Sequence, residues 1–283
     1  MKKIFILPFF LTVFFSSHSQ IAAIEISSSD NSVYVPDKKD TLDVCVLTAQ
    51  YRMEHFEDAK NRAKRKNYFM LLQIGSKLSK FSDYFRLKVD STRIDYAKQK
   101  MNSTEVMNKT MPMFQGTSPL NIFKNYPSGK MTVVDRAFLV GNFKYSEDRI
   151  RFNWKLQQGS ATICGYTCKK ATTTFRGRNY TAWYAPDIPN SDGPWKFGGL
   201  PGLILKVSDD TDDYSFECVA IEKPKKPEYI YIKDSDYDYF KTTRERFNIT
   251  AKNACDNPNP YVESVGAKPV PNKKMPYNPI ELE

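Results

Sequence analysis

Histidine is nearly absent from this chain, with two in 283 residues, His18 and His55. The first lies in a segment that reads as a removable leader, so one remains for chemistry. That rules out metal sites needing two histidines and disfavours Ser-His-Asp and Cys-His hydrolases. Also missing are the GxSxG, HExxH, GxGxxG and P-loop patterns. Beyond the leader no stretch approaches the about 20 apolar residues that span a bilayer. No block of five or six consecutive cations occurs either, so the formal charge of +10 is dispersed. It reads as a solubility feature rather than a nucleic-acid footprint.

What is present begins with Met1, Lys2 and Lys3, an apolar run from Ile4 to Phe15, and then Ser17, His18, Ser19 and Gln20. A charged start, a short apolar core and small residues three and one positions before Gln20 make a secretory signal peptide over residues 1–19. The expected product is an exported chain starting at Gln20, periplasmic, associated with an outer membrane or secreted. It would have no transmembrane segment, and no cysteine near the cut to carry a lipid anchor. Losing Lys2 and Lys3 lowers its charge from +10 to +8. About 260 residues suffice for one domain, since β-sandwiches and barrels often run to 200–250 residues undivided.

Five cysteines, Cys45, Cys164, Cys168, Cys218 and Cys255, survive cleavage into a compartment that permits disulfides. Their odd number leaves at least one unpaired. Cys164 and Cys168 fall in a segment that reads as one strand, where four residues at about 3.3 Å each place them roughly 13 Å apart. Disulfide Cα atoms must approach within about 7 Å, so any bridge would be long-range, and its pairing is not legible.

Along the chain, residues 20–41 are Ser- and Asp-rich and read as a flexible lead-in. A β-rich domain is expected over 42–255. Val44, Val46 and Thr48 alternate as a half-buried strand would, and Tyr68–Ile74 is a second strand. Between them, Glu54–Lys66 is charged and compatible with a helix. Asp83–Met101 predicts another helix, and Asn102–Ser118 a loop. From Asn121 onward, short apolar runs recur at Met131–Val140, Thr162–Phe175, Tyr180–Ala185, Leu203–Val207, Tyr214–Ile221 and Tyr229–Ile232. Short turn-forming stretches such as Tyr126-Pro127-Ser128-Gly129 favour hairpins and an antiparallel sheet. Asp234–Cys255 predicts a helix capped by Asp234 or Ser235, and residues 256–283 read as an extended proline-rich tail.

The most distinctive stretch runs from Cys164 to Val207. It holds Gly165, Tyr166, Cys168, Lys169, Lys170, Ala171 and Thr172; then Phe175, Arg176, Gly177 and Arg178; then Ala182, Trp183 and Tyr184. Ile188, Pro189, Gly193, Pro194, Trp195, Lys196, Phe197 and Gly198 follow, and the hexad Gly199, Leu200, Pro201, Gly202, Leu203, Ile204 closes it. Leu72–Ser76, Ser79–Phe81, Asn125-Tyr126-Pro127, Trp154 and Asn278–Glu283 add to the same pattern. Together these resemble the GLPGLI family of secreted Bacteroidetes proteins, whose function is largely unknown. The resemblance implies export and a mainly β (β-rich α+β) fold. A weaker similarity, to the bowl-like N-terminal domain of a peptide N-glycosidase, implies a curved antiparallel sheet, a bowl or partial barrel with a few peripheral helices. It also implies contact with a peptide, glycoprotein or other envelope protein, and family members look like accessories of outer-membrane transport systems.

Within that stretch the hexad reads as architecture: Pro201 and Gly202 suit the centre of a type II turn, and Gly198 and Gly199 permit close backbone approach. The binding candidates are Arg176, Arg178, Trp183, Tyr184, Trp195, Lys196 and Phe197. Arginine forks grip carboxylate or phosphate, and flat aromatic faces stack on sugars and peptide side chains. Weighed against this, Trp and Phe also fill sheet cores. No catalytic residue and no cofactor is assigned. The leading expectation is a non-enzymatic binding or accessory protein that holds a peptide, glycopeptide or partner protein on a concave β surface.

Two alternatives remain open. A carboxylate-based hydrolase needs only two acids. A copper or calcium carrier would use Met101, Met107, Met111 and Met113, or the calcium-loop spacing of Asp234, Asp236, Asp238 and Glu245, although Tyr239 stands where that loop needs glycine. His55, beside Glu54 and Glu57, reads as a surface side chain, and Asp209, Asp210, Asp212 and Asp213 as a solvated turn.

Overall fold

The computed structural model describes residues 32–137, 140–233, 235, 239–264 and 274–283. The leader, most of the lead-in and Asp234, Asp236 and Asp238 lie outside the described residues.

Period-two patterning builds β1 (Lys39–Phe56), β2 (Arg65–Gly75) and β3 (Ser79–Asp83). Asp83 then caps α1 (Tyr84–Lys98), accepting from the Arg86 backbone N–H at 3.0 Å. Next come α2 (Ser103–Thr110), a 3₁₀ turn (Met111–Phe114), β4 (Asn121–Lys124), β5 (Lys130–Ala137) and β6 (Gly141–Asp148). The chain continues through β7 (Lys155–Ile163), β8 (Tyr166–Phe175), β9 (Arg178–Ala185), β10 (Leu203–Asp209), β11 (Tyr214–Glu222), β12 (Glu228–Lys233) and β13 (Phe240–Lys241). Helices α3 (Arg244–Asp256) and α4 (Asn259–Ser264) follow.

The strands form one curved, unclosed sheet in the order β13-β6-β5-β4-β3-β2-β1-β11-β10-β9-β8-β7, as expected of a mainly β chain. Every pairing is antiparallel except β13 with β6. The long β1 is the hub: its first half pairs with β12, its second with β11, and β2 lies along its other side. Among the described residues no helix is long and apolar enough to cross a membrane.

Several local expectations are corrected. Glu54–Lys66 is not a helix but the outer end of the β1–β2 hairpin, where Arg65 pairs with Glu54 at 2.8 Å and with Asp212. Cross-strand ion pairs substitute there for apolar contacts. Val44 and Val46 face outward, and Asp43 and Cys45 face inward. The cause is Asp43, whose carboxylate accepts from the Lys77 and Leu78 backbone N–H groups at 2.6 and 3.2 Å and so organises the β2–β3 turn. Residues 102–118 hold α2 and the 3₁₀ turn; Asn102 and Glu105 form a reciprocal capping box. Thr162–Phe175 is two strands broken at Cys164-Gly165. The helix expected over Asp234–Cys255 starts only at Arg244, capped by Thr243, and the supposed tail contains α4.

At the hexad, the Gly202 N–H donates to the Leu200 carbonyl at 2.8 Å, the two-residue span of a γ-turn centred on Pro201 rather than a type II turn. Asp209 and Asp213 are buried, and only Asp210 and Asp212 face solvent.

The main core fills the sheet interior. Fully buried Phe197 packs against Tyr180 at 4.9 Å between ring centroids, Trp195 at 5.1 Å and Phe152 at 5.3 Å. Burying one such side chain contributes about 1.5–3 kcal/mol.

Candidate functional site

A cavity of about 300 Å³ opens between the sheet, α3 and the C-terminal segment. Strand β1 contributes His55, β2 Tyr68, β5 Asp135, β11 Tyr214, α3 Asn248 and the 194–197 turn Trp195 and Lys196. The strand positions follow from alternation, Trp195 and Lys196 from a turn, and Asn248 from helix α3. Trp195 stands at φ +49°, a conformation unfavourable for a large side chain, inside a turn closed by the Phe197 N–H on the Pro194 carbonyl at 3.0 Å. Lys124 anchors that turn from below, donating to Asp192, Gly193 O and Phe197 O at 2.5, 2.6 and 2.9 Å.

Asp135 and His55 are among the cavity groups with displaced acidities. Burial pushes the Asp135 carboxyl up to about 6, against the opposing effects of the Arg136 N–H and of nearby Lys196 and Arg86. Burial likewise lowers His55 below the usual imidazole range. His55 is therefore no free surface residue. Its ring is stacked between Tyr214 at 5.1 Å and 8° and Tyr68 at 5.8 Å and 16°, and its Nδ1 is buried without a well-formed hydrogen bond. A neutral imidazole between two phenol rings, a half-buried carboxyl and an indole give flat apolar faces with a few polar atoms, the usual make-up of a small-ligand site.

The floor is an ionic cage. Lys196, 3% exposed, donates to Glu281 at 2.5 Å and pairs with Glu147 at 2.6 Å. Arg176 pairs with the same two carboxylates, and Arg244 reaches Glu281 at 3.2 Å. Burial alone would raise the Glu281 carboxyl, but Lys196 and Arg176 outweigh it and hold it low.

The seven residues singled out from sequence thus fall in different parts of the fold. Trp195 and Lys196 line the cavity, and Arg176 braces its floor. Arg178 is buried elsewhere, donating to Asp209 at 2.6 Å, Asp213 at 3.2 Å, Asn278 at 2.7 Å and Pro279 O at 2.8 Å. Tyr184 and Phe197 are core, and half-buried Trp183 lies across the bulge at Gly159, with Lys170 Nζ 5.9 Å above its ring. Sequence reasoning missed Asp135, Tyr68, Asn248 and Glu281. Asp135 left a trace as an acid interrupting the apolar run Met131–Val140, and Glu281 as part of the Asn278–Glu283 stretch of the family pattern.

Of the residues considered for metals, Met107, Met111 and Met113 are exposed. Among the described residues no group of three or more His, Cys, Asp or Glu side chains is placed to hold a metal.

Residues 174–206, which take in the hexad, match a family model described as "Protein of unknown function (Porph_ging)" rather than under the GLPGLI name. No curated protein matches the chain. Two solved structures of PNGF-II are similar at 15% identity. The one in the P21 space group has a TM-score of 0.44 and covers 73% of this chain and 33% of that one. The one in the C2 space group has a TM-score of 0.46, covering 73% and 32%. The chain spans about a third of the length of those structures.

Proposed function

We propose that this chain is an exported envelope protein that binds a peptide, a glycopeptide or a segment of a partner protein in the cavity beside Trp195. The observation that carries this reading is the lining itself, with the indole, Tyr68 and the stacked His55 as apolar surfaces and Asp135 and Asn248 as polar contacts. Such surfaces stack on sugar rings or side chains while amide and carboxyl groups fix orientation.

The test is binding of the purified protein to arrayed peptides and N-glycopeptides. Asp135→Asn and Asn248→Ala should each weaken retained probes by about tenfold, equivalent to ~1.4 kcal/mol, with near-UV circular dichroism unchanged. A protein that retains no probe, or whose two variants retain probes as tightly as the parent does, overturns the reading.

A second reading, a carboxylate-based hydrolase, draws on the same acid. A carboxyl raised to about 6 keeps part of its proton near neutrality, as a general acid requires. It predicts turnover of a retained probe, abolished by Asp135→Asn without unfolding.

A further inference from the structure

The β7–β8 turn carries an unusual residue. Cys164 and Gly165 connect the strands as a two-residue hairpin with φ +50° and +80°, both positive as a type I′ turn requires. A non-glycine side chain seldom occupies the first of these positions unless it is asparagine or aspartate. Here the strained residue directs a thiol at another strand: the Cys164 Sγ–H donates to the Cys218 carbonyl at 3.0 Å, across 54 residues of sequence. The Cys218 Sγ–H in turn donates to the Ala220 carbonyl at 3.5 Å. β8 and β11 are separated in the sheet by β9 and β10, so this contact crosses the curved interior instead of following the ladder. Cys45 belongs to a separate small core and Cys255 to α3, which leaves Cys168 as the competing thiol. It is fully buried on β8 and turned to its own Tyr166 carbonyl at 3.6 Å.

We propose that Cys164 and Cys218 form a disulfide that ties the tip of the β7–β8 hairpin to β11. The co-reactant is a disulfide oxidant. Half-buried Cys164 is the accessible thiol; as thiolate it attacks one sulfur of the oxidant, forming a mixed disulfide and releasing the other half as a thiol. Cys218 then loses its proton and attacks Cys164 Sγ, expelling the second half as thiolate. Two protein thiols are oxidised, and one external disulfide is reduced to two thiols. Burial, then the neighbouring Cys164, push the Cys218 thiol up, so Cys218 reacts second, once the mixed disulfide lies beside it.

The test treats the purified, reduced protein with oxidised glutathione, quenches with acid, alkylates under denaturing conditions and maps tryptic peptides. Peptide Leu156–Lys169 contains both Cys164 and Cys168, so the Cys168→Ser variant is mapped alongside. The expected result is loss of two hydrogen masses, loss of alkylation at two thiols, and a cross-link from Leu156–Lys169 to the Cys218 peptide in both proteins. Cys218→Ser should stop at a glutathione adduct on Cys164. Five alkylated thiols after oxidation, or a cross-link from Cys164 to Cys168, Cys45 or Cys255, would overturn the proposal.

Discussion

Asp135 lies on β5 in the cavity wall and accepts the Arg136 backbone N–H at 2.7 Å. Its carboxyl titrates near 6 in the folded chain against an ordinary 3.8, so between those values the folded state holds a proton that the unfolded state has released. Stability from this group therefore falls as pH rises from about 4 to about 6, and is level above. Asp135→Asn removes that slope. The variant's gain over the parent should grow across the same window to roughly 2–3 kcal/mol at neutral pH, read from urea midpoints at pH 4.5 and 7. An equal gap at both values would contradict the burial argument. His55 acts in the other direction: burial lowers its pKa, so stability present above about 6.5 is lost as pH falls.

At the scale of elements, the turn from Leu200 to Leu203 joins β9 and β10 through contacts only a bare backbone allows. Gly202 stands at φ +148°, and a Cβ there would meet the Ala185 carbonyl oxygen at 2.3 Å and its carbon at 2.6 Å. Gly199, at φ +91°, has nothing nearer than Trp154 at 3.8 Å. Both glycines carry a conformational cost for any side chain, but only Gly202 adds a backbone collision. Gly202→Ala should cost about 3 kcal/mol or more and Gly199→Ala about 1–2 kcal/mol. Equal urea midpoints for the two variants would mean that close approach to β9 does not matter. The sequence pointed to these glycines as architecture but not to the turn's geometry, because the γ-turn is set by how closely β9 runs past.

Across the whole molecule, the C-terminal segment acts as a strap. The Tyr214 hydroxyl donates to the Asn278 carbonyl at 2.6 Å, the Asn278 side chain to the Phe56 carbonyl at 2.9 Å, and the Leu282 N–H to the Arg176 carbonyl at 3.0 Å. Glu281 is the carboxylate on which Lys196, Arg176 and Arg244 converge. Removing residues 276–283 would take Glu281 from those cations and Asn278 and the Pro279 carbonyl from Arg178, leaving Lys196 and Arg176 to share Glu147 and Arg178 only Asp209 and Asp213. Stability should drop by about 3–5 kcal/mol, with Glu281→Gln milder because it keeps hydrogen-bonding atoms. An unchanged urea midpoint on truncation would show that the strap contributes nothing.

Alternating apolar residues and short turns between Asn121 and Ile232 were enough to specify a mainly β, antiparallel chain, because strand period and hairpin chemistry are local properties. The same residues could not say which face of β1 turns inward: Asp43 decides that by capping a turn more than thirty residues away. Nor could they separate Trp195 and Lys196, which line the cavity, from Arg178, Tyr184 and Phe197, which do not. Tertiary structure made that division, since a buried charge settles where its counter-charges converge, and those came from β6, β10, the β10–β11 turn and the C-terminus.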